Sequence, residues 1–166
     1  MSADMSKNIS EKLTYPGTTI EQVLAMYADP AFREEVATYQ RAVRSSAELD
    51  GVGAGSTARV EIVHGTEQIP SFARKLVGDE IAIVQEETWT SDTHADVRVT
   101  IPGKPGDMSG TFDLAQVGDD VVETVALTVK VNIPFVGGKV EDLIAGLLAK
   151  ALRAENKVGL RWLGVS

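Results

Sequence analysis

The chain has 166 residues, 43% hydrophobic and 24% charged, a mixture able to bury an ordinary core. Sixteen Lys and Arg against 24 Asp and Glu leave a net charge of −8, which argues against nucleic acid or an anionic bilayer as partner. With no Cys and two His, thiolate zinc sites, disulfides, thiol catalysis and His-rich metal centres are excluded, and no cofactor is implied.

Residues 1–6 lack the basic and apolar regions of a signal peptide, and no apolar run approaches the length of a membrane span. The expectation is a disordered N-terminus over residues 1–6, one domain over 7–166, no stable membrane insertion and a cytoplasmic location. Residues 8–15 read as a first strand, with Ile9, Leu13 and Tyr15 on one face and Pro16-Gly17 as the closing turn. Thr18 or Thr19 can cap the helix that follows, in which Ile20, Val23, Leu24 and Tyr27 recur at helical spacing up to Asp29-Pro30. A second short helix is expected over residues 31–37.

From Tyr39 the period changes to two. Tyr39, Val43, Ala47 and Leu49 alternate with Gln40, Arg44 and Glu48, which predicts a strand over residues 39–49 ending at Asp50-Gly51. The next strand is expected over 57–64. Ile69, Phe72, Ala73, Leu76 and Val77 then fit an inserted helix, with Pro70 in its first turn and Gly78 as its stop. Strands resume over 81–90, 94–101, 108–117 and 121–133, separated by Pro-Gly and Gly-Asp turns. Residues 138–164 form a long amphipathic helix. At about 100° per residue, Val140, Ile144, Leu147, Leu148, Ala151, Val158, Gly159 and Trp162 share an arc of about 120°. A sheet is the one apolar partner available to that stripe, so the class is α+β with a helix gripped by strands, a form that encloses cavities.

This element order resembles the START-like or SRPBCC superfamily, the helix-grip fold shared with the birch-pollen allergens. Ile69-Pro70-Ser71-Phe72, Glu86-Glu87-Thr88-Trp89 and the run from Ile133-Pro134-Phe135-Val136 through Gly137-Gly138-Lys139-Val140-Glu141 resemble an actinobacterial family within it, domain of unknown function 2505. The resemblance implies a curved seven-stranded antiparallel sheet wrapped around the long C-terminal helix, with two short helices after strand one. It also implies a cavity used for lipids, sterols, polyketides or hormones, and no universal catalytic residue.

Polar groups at apolar positions of the pattern are the candidate functional residues. Glu155 falls at about 60° on the last helix, inside the apolar arc, and either faces a cavity or overhangs the sheet edge into water. Gln85 and Glu87 share a strand face with Ile83 and Trp89, so the alternatives are a polar pocket wall, a bulge or an outward Trp89. Glu123, near a hairpin turn, is expected to be exposed. His64 shares a face with Ala58, Val60 and Ile62 at a strand end, whereas His94 is expected to point to solvent. Glu155, Glu87 and His64 are the weak acid–base candidates, and no catalytic constellation is assigned. The glycines of Gly51-Val52-Gly53-Ala54-Gly55 are read as turn chemistry, and Gly137-Gly138 as close helix packing.

Phe72, Leu76, Trp89, Phe112, Leu127, Leu147, Leu148 and Trp162 are expected to converge between helix and sheet, as either a filled core or cavity walls. The expected binding set is Phe72, Leu76, Gln85, Trp89, Phe112, Leu127, Leu147, Leu148, Ala151 and Glu155, with the inserted helix as lid. The leading function is binding or carriage of a small hydrophobic or amphipathic molecule. The alternatives are a cyclase-, dehydratase- or hydrolase-like enzyme, which needs two titratable groups within reach of each other, and a protein-interaction module. The last would use the basic stripe Lys150, Arg153, Lys157 and Arg161, and a homodimer is compatible with any of the three.

Overall fold

A computed structural model describes residues 6–104, 106–133 and 137–165. Strand β1 (Ser6–Pro16) leads into helices α1 (Ile20–Tyr27) and α2 (Pro30–Tyr39). Strands β2 (Arg44–Asp50) and β3 (Thr57–Gly65) follow, then helix α3 (Ser71–Val77). The chain continues through β4 (Glu80–Trp89), β5 (His94–Thr100), β6 (Asp107–Val117) and β7 (Asp120–Lys130) to the long helix α4 (Gly137–Leu163). Ser6, expected in the N-terminal tail, is instead the first residue of β1 and pairs with Lys130. Residues 1–5 lie outside the described residues, as do Pro134, Phe135 and Val136 of the motif before α4.

The seven strands form one antiparallel sheet in the order β1-β7-β6-β5-β4-β3-β2. Strands β1 and β2 are therefore its two edges, and α1 and α2 carry the chain from one edge to the other. Local chemistry starts both helices. Thr19 and Gln22 form a reciprocal capping box at α1, while the Asp29 carboxylate caps α2 ahead of a first-turn proline. Helix α4 packs mainly along β1 and against α2.

Register explains the core. Reading across β3, β4, β5, β6 and β7, Ala58, Glu87, Val97, Gly110 and Leu127 form one row on the helix-facing side. Trp89, Ala95, Phe112 and Val125 form a second. Trp89, Phe112 and Leu127 are all buried in the core cluster, where each contributes about 1.5–3 kcal/mol of hydrophobic stabilisation. Gly110 is required in its row, because a Cβ there would collide with the Ala126 carbonyl oxygen. Gly137 meets the same kind of constraint at the start of α4, where a Cβ would stand 2.8 Å from the Val131 carbonyl oxygen, in keeping with its packing role.

Several expectations are corrected. The strand pattern that starts at Tyr39 begins too early, because α2 runs through Tyr39 and ends where Arg41 adopts a left-handed φ of 59°. The Ala42 N–H then bonds the Ala37 carbonyl, a closure that leaves Tyr39 and Val43 exposed. The last strand ends at Lys130, short of Ile133. On α3 the residue that packs inward is Ala73, while Phe72 and Leu76 are 39% and 37% exposed. Its orientation is fixed by Arg74, whose guanidinium donates to the carbonyls of Thr66, Glu67 and Ile69. Leu147 is likewise 40% exposed. The buried stripe of α4 comprises Val140, Glu141, Ala145, Leu152, Glu155, Val158 and Gly159, rotated by about 30–40° from the expected arc. Leu148, Ala151 and Trp162 are half-buried beside it.

Candidate functional site

Strand β4 keeps an unbroken register with both neighbours, so no bulge relieves its polar face. Gln85, Glu87 and Trp89 all turn inward, and Glu87 is 1% exposed. What receives Glu87 is Arg33 of α2, a residue that sequence reasoning did not single out. The Arg33 guanidinium meets the carboxylate through two bonds of 2.9 and 3.0 Å, and its Nε donates to the Tyr27 carbonyl at 2.9 Å. Gln85 Nε2 and the Trp89 indole N–H complete the shell at 2.8 and 3.1 Å. Burial works against ionising Glu87, but the Arg33 charge and these hydrogen bonds outweigh it and hold the carboxyl below its ordinary range. The pair is a charge-neutral, fully bonded unit.

A second polar cluster is built differently. Glu123 of β7, expected at an exposed strand end, is 0% exposed. Its row pairs it with Leu13 and Leu114, and the helices close over that end of the sheet. Glu123 Oε1 accepts from the Tyr27 hydroxyl at 2.5 Å, and the Tyr15 hydroxyl lies 3.3 Å from that of Tyr27. Glu155 is buried at the middle of the α4 stripe, so it does not overhang the sheet edge. One turn further on, Gly159 brings α4 flat against Tyr15 and Met26, where a Cβ would stand 2.7 Å from the Tyr15 ring. Burial, and then the neighbouring Glu155 charge, push Glu123 well above the usual carboxylate range. Burial also raises Glu155, to about 7, although Arg33 opposes the shift.

The other candidates fall elsewhere. His64 is half-buried, and desolvation lowers its pKa. It lies six residues along β3 from Ala58, the register partner of Glu87, so roughly 20 Å of strand separates the two. Glu87 and His64 therefore do not form an acid–base pair. His94 is partly exposed at the start of β5 and is held between Asp113 and Asp96 at 2.7 and 3.2 Å, which raise its pKa. The basic stripe of α4 is partly used within the chain, since Arg153 pairs with Glu11 and Arg161 stacks over the Tyr39 ring. Among the described residues, no group of three or more His, Cys, Asp or Glu could hold a metal ion. None of their helices is long and apolar enough to cross a membrane.

A half-open cleft of about 500 Å³ lies between α2 and the edge strand β2. Pro30, Arg33, Glu34, Ala37 and Thr38 supply one wall at helical spacing, and Val43, Ser45 and Ala47 the other, with Val60 of β3 also lining it. Arg33 connects this cleft to the buried charges. None of the ten expected binding residues lines the cleft: Trp89, Phe112 and Leu127 are core, and Gln85 is bonded to Glu87.

A seven-stranded antiparallel sheet holding a long C-terminal helix, with two short helices bridging its edges, defines a helix-grip protein. Solved structures of the same architecture include the protein TTHA0849 from Thermus thermophilus, at a TM-score of 0.61 and 18% identity, covering 93% of this chain and 98% of that one. The ZhuI aromatase/cyclase from Streptomyces sp. R1128 superposes at 0.60 with 11% identity, covering 93% and 92%. Truncated norcoclaurine synthase from Thalictrum flavum superposes at 0.59 with 18% identity, covering 93% and 94%. At these identities the likeness establishes the fold alone. The chain belongs to the family described as protein of unknown function (DUF2505), whose model matches residues 10–163. The uncharacterised protein Rv0481c of Mycobacterium tuberculosis is 25% identical over 123 residues, 68% of this chain and 71% of its own length.

Proposed function

We propose that this protein binds or carries a small amphipathic molecule in the cleft between α2 and β2. The observation that carries this reading is the cleft itself, whose size falls in the range of ordinary small-molecule sites. Ala37, Val43, Ala47 and Val60 offer an apolar bed, while Thr38, Ser45 and Ser46 offer hydroxyls at the rim. Arg33 closes the inner end. Its charge is already balanced by Glu87, so it suits a carbonyl, hydroxyl or protonated acid better than a second strong anion. The fold supports the reading by analogy, since norcoclaurine synthase has been solved with dopamine and hydroxybenzaldehyde bound.

An enzymatic reading rests on one feature, the near-neutral Glu155 beside Glu123. Neither residue lines the cleft, which favours the binder. Native mass spectrometry of gently purified protein tests the choice. The expected result is an excess mass in the wild type that is lost on denaturation and missing from Ala47→Trp, whose indole fills the cleft. No excess mass, together with no uptake of added lauric acid or dodecanol, would overturn the binding reading. An excess mass unaffected by Ala47→Trp would place the ligand elsewhere.

A further inference from the structure

The interior carries a charge imbalance that neither the fold nor the cleft uses. Among the described residues, Glu87, Glu123 and Glu155 are buried together with a single guanidinium, that of Arg33, and Glu87 takes both arms of its fork. The tyrosines do not make up the difference. Tyr27 has one hydroxyl proton, which goes to Glu123 Oε1, so Tyr15 must donate to the Tyr27 oxygen. No hydroxyl proton is left for Glu123 Oε2 or Glu155 Oε1. Both oxygens are sealed from solvent and have no hydrogen-bond partner. Two ionised carboxylates in that setting would combine a desolvation penalty with mutual repulsion.

We propose that Glu123 and Glu155 form a buried proton-binding site that fastens the C-terminal half of α4 to β7 and loosens as the pH rises past neutral. A proton on either carboxyl removes its charge and so lowers the desolvation penalty that its orphan oxygen carries. It also cancels the repulsion between a helix and a strand that must pack together. The groups acting on the pair are Tyr15 from β1, Tyr27 from α1, Arg33 from α2 and Glu87 from β4. Arg33 is the one cation among them, and it is committed to Glu87. Glu141, the remaining buried carboxyl of α4, is engaged separately by the Val131 N–H at 2.7 Å. The directions of titration agree with the geometry: burial raises both carboxyls, Glu123 well above the ordinary carboxylate range and Glu155 to about 7.

Infrared spectroscopy of the full chain at pH 8, where exposed carboxyls are ionised, tests the site directly. The expected spectrum of the wild type contains the carbonyl band of an un-ionised carboxylic acid, and Glu123→Gln/Glu155→Gln loses it. In parallel, the wild-type Tm falls between pH 6 and pH 9, whereas that of the double variant is nearly flat. A wild-type spectrum without the band, or an equal pH slope in the double variant, would overturn the proposal. The infrared band is read in the unmodified chain, so a variant that fails to fold leaves that arm of the test intact.

Discussion

Two polar clusters lie a few residues apart in the same interior and answer burial in opposite ways. Around Glu87 every carboxylate oxygen has a charged or dipolar partner, and the group stays ionised. Around Glu123 and Glu155 the donors run out, and both groups are pushed toward the protonated form. The same low-polarity surroundings thus yield a permanent ion pair in one place and a titratable acid pair in the other. Donor supply decides the outcome, and Tyr27 connects the two, with its carbonyl bonded to Arg33 and its hydroxyl to Glu123.

The comparison breaks most severely at Glu87. Replacing it with Ala leaves the Arg33 charge buried and unpaired, at an expected cost of about 3–5 kcal/mol in chemical denaturation. Replacing Arg33 and Glu87 together by Met should cost less than Glu87→Ala alone, because no lone charge remains. An equal or larger loss would show that the hydrogen-bond shell, not the charge pair, holds this region.

The pH profile separates the clusters next. Glu155 rises from the ordinary carboxylate value to about 7 on folding, so its stabilisation is complete below about pH 4.5 and is lost as the pH climbs through 7. Shifts of that size correspond to about 3 kcal/mol. Glu87 runs the other way, its contribution being present above the ordinary carboxylate value and lost in acid. Thermal melts should therefore peak near the ordinary carboxylate value, about pH 4–5, and Glu155→Gln should raise the Tm at pH 8 while leaving it nearly unchanged at pH 4.

Tyr27→Phe is expected to cost about 1–3 kcal/mol, since it removes the donor to a buried Glu123 oxygen. The smallest effect is expected at His64. It makes none of the polar contacts found in either cluster, so His64→Ala should change stability at neutral pH by about 0.5 kcal/mol or less, and should slightly lessen the loss of stability in acid because desolvation lowers the His64 pKa. A larger change at His64 would point to a third polar region in the interior.

The two clusters were unequally legible in the sequence. Glu87 and Glu155 announce themselves because they interrupt an apolar period, of two residues in β4 and of 3.6 in α4. Glu123 interrupts a period as clearly, yet its position beside a turn pointed to exposure, and only α1 and α4 closing over that end of β7 bury it. Arg33 gave no signal, because a basic residue followed by Glu34 and Glu35 on a short helix looks like any solvated side chain. What marks it is the carboxylate 54 positions away, a pairing that no local pattern contains. The exposed Phe72, Leu76 and Leu147 show the converse: apolar spacing names a stripe, and the neighbouring elements decide which edge of it is covered.

Residue order alone was enough for the element order, the antiparallel pairing through short turns, the capped helices and the long amphipathic last helix. These follow from interactions within a few residues, where period, capping and turn chemistry are complete in the local sequence. Tertiary structure alone decided which carboxyls are paired, which must hold a proton, and where the cleft opens. Those outcomes depend on the donors, charges and excluded water that distant elements bring to one point, and a pKa or a cavity belongs to that assembly and not to any segment of it.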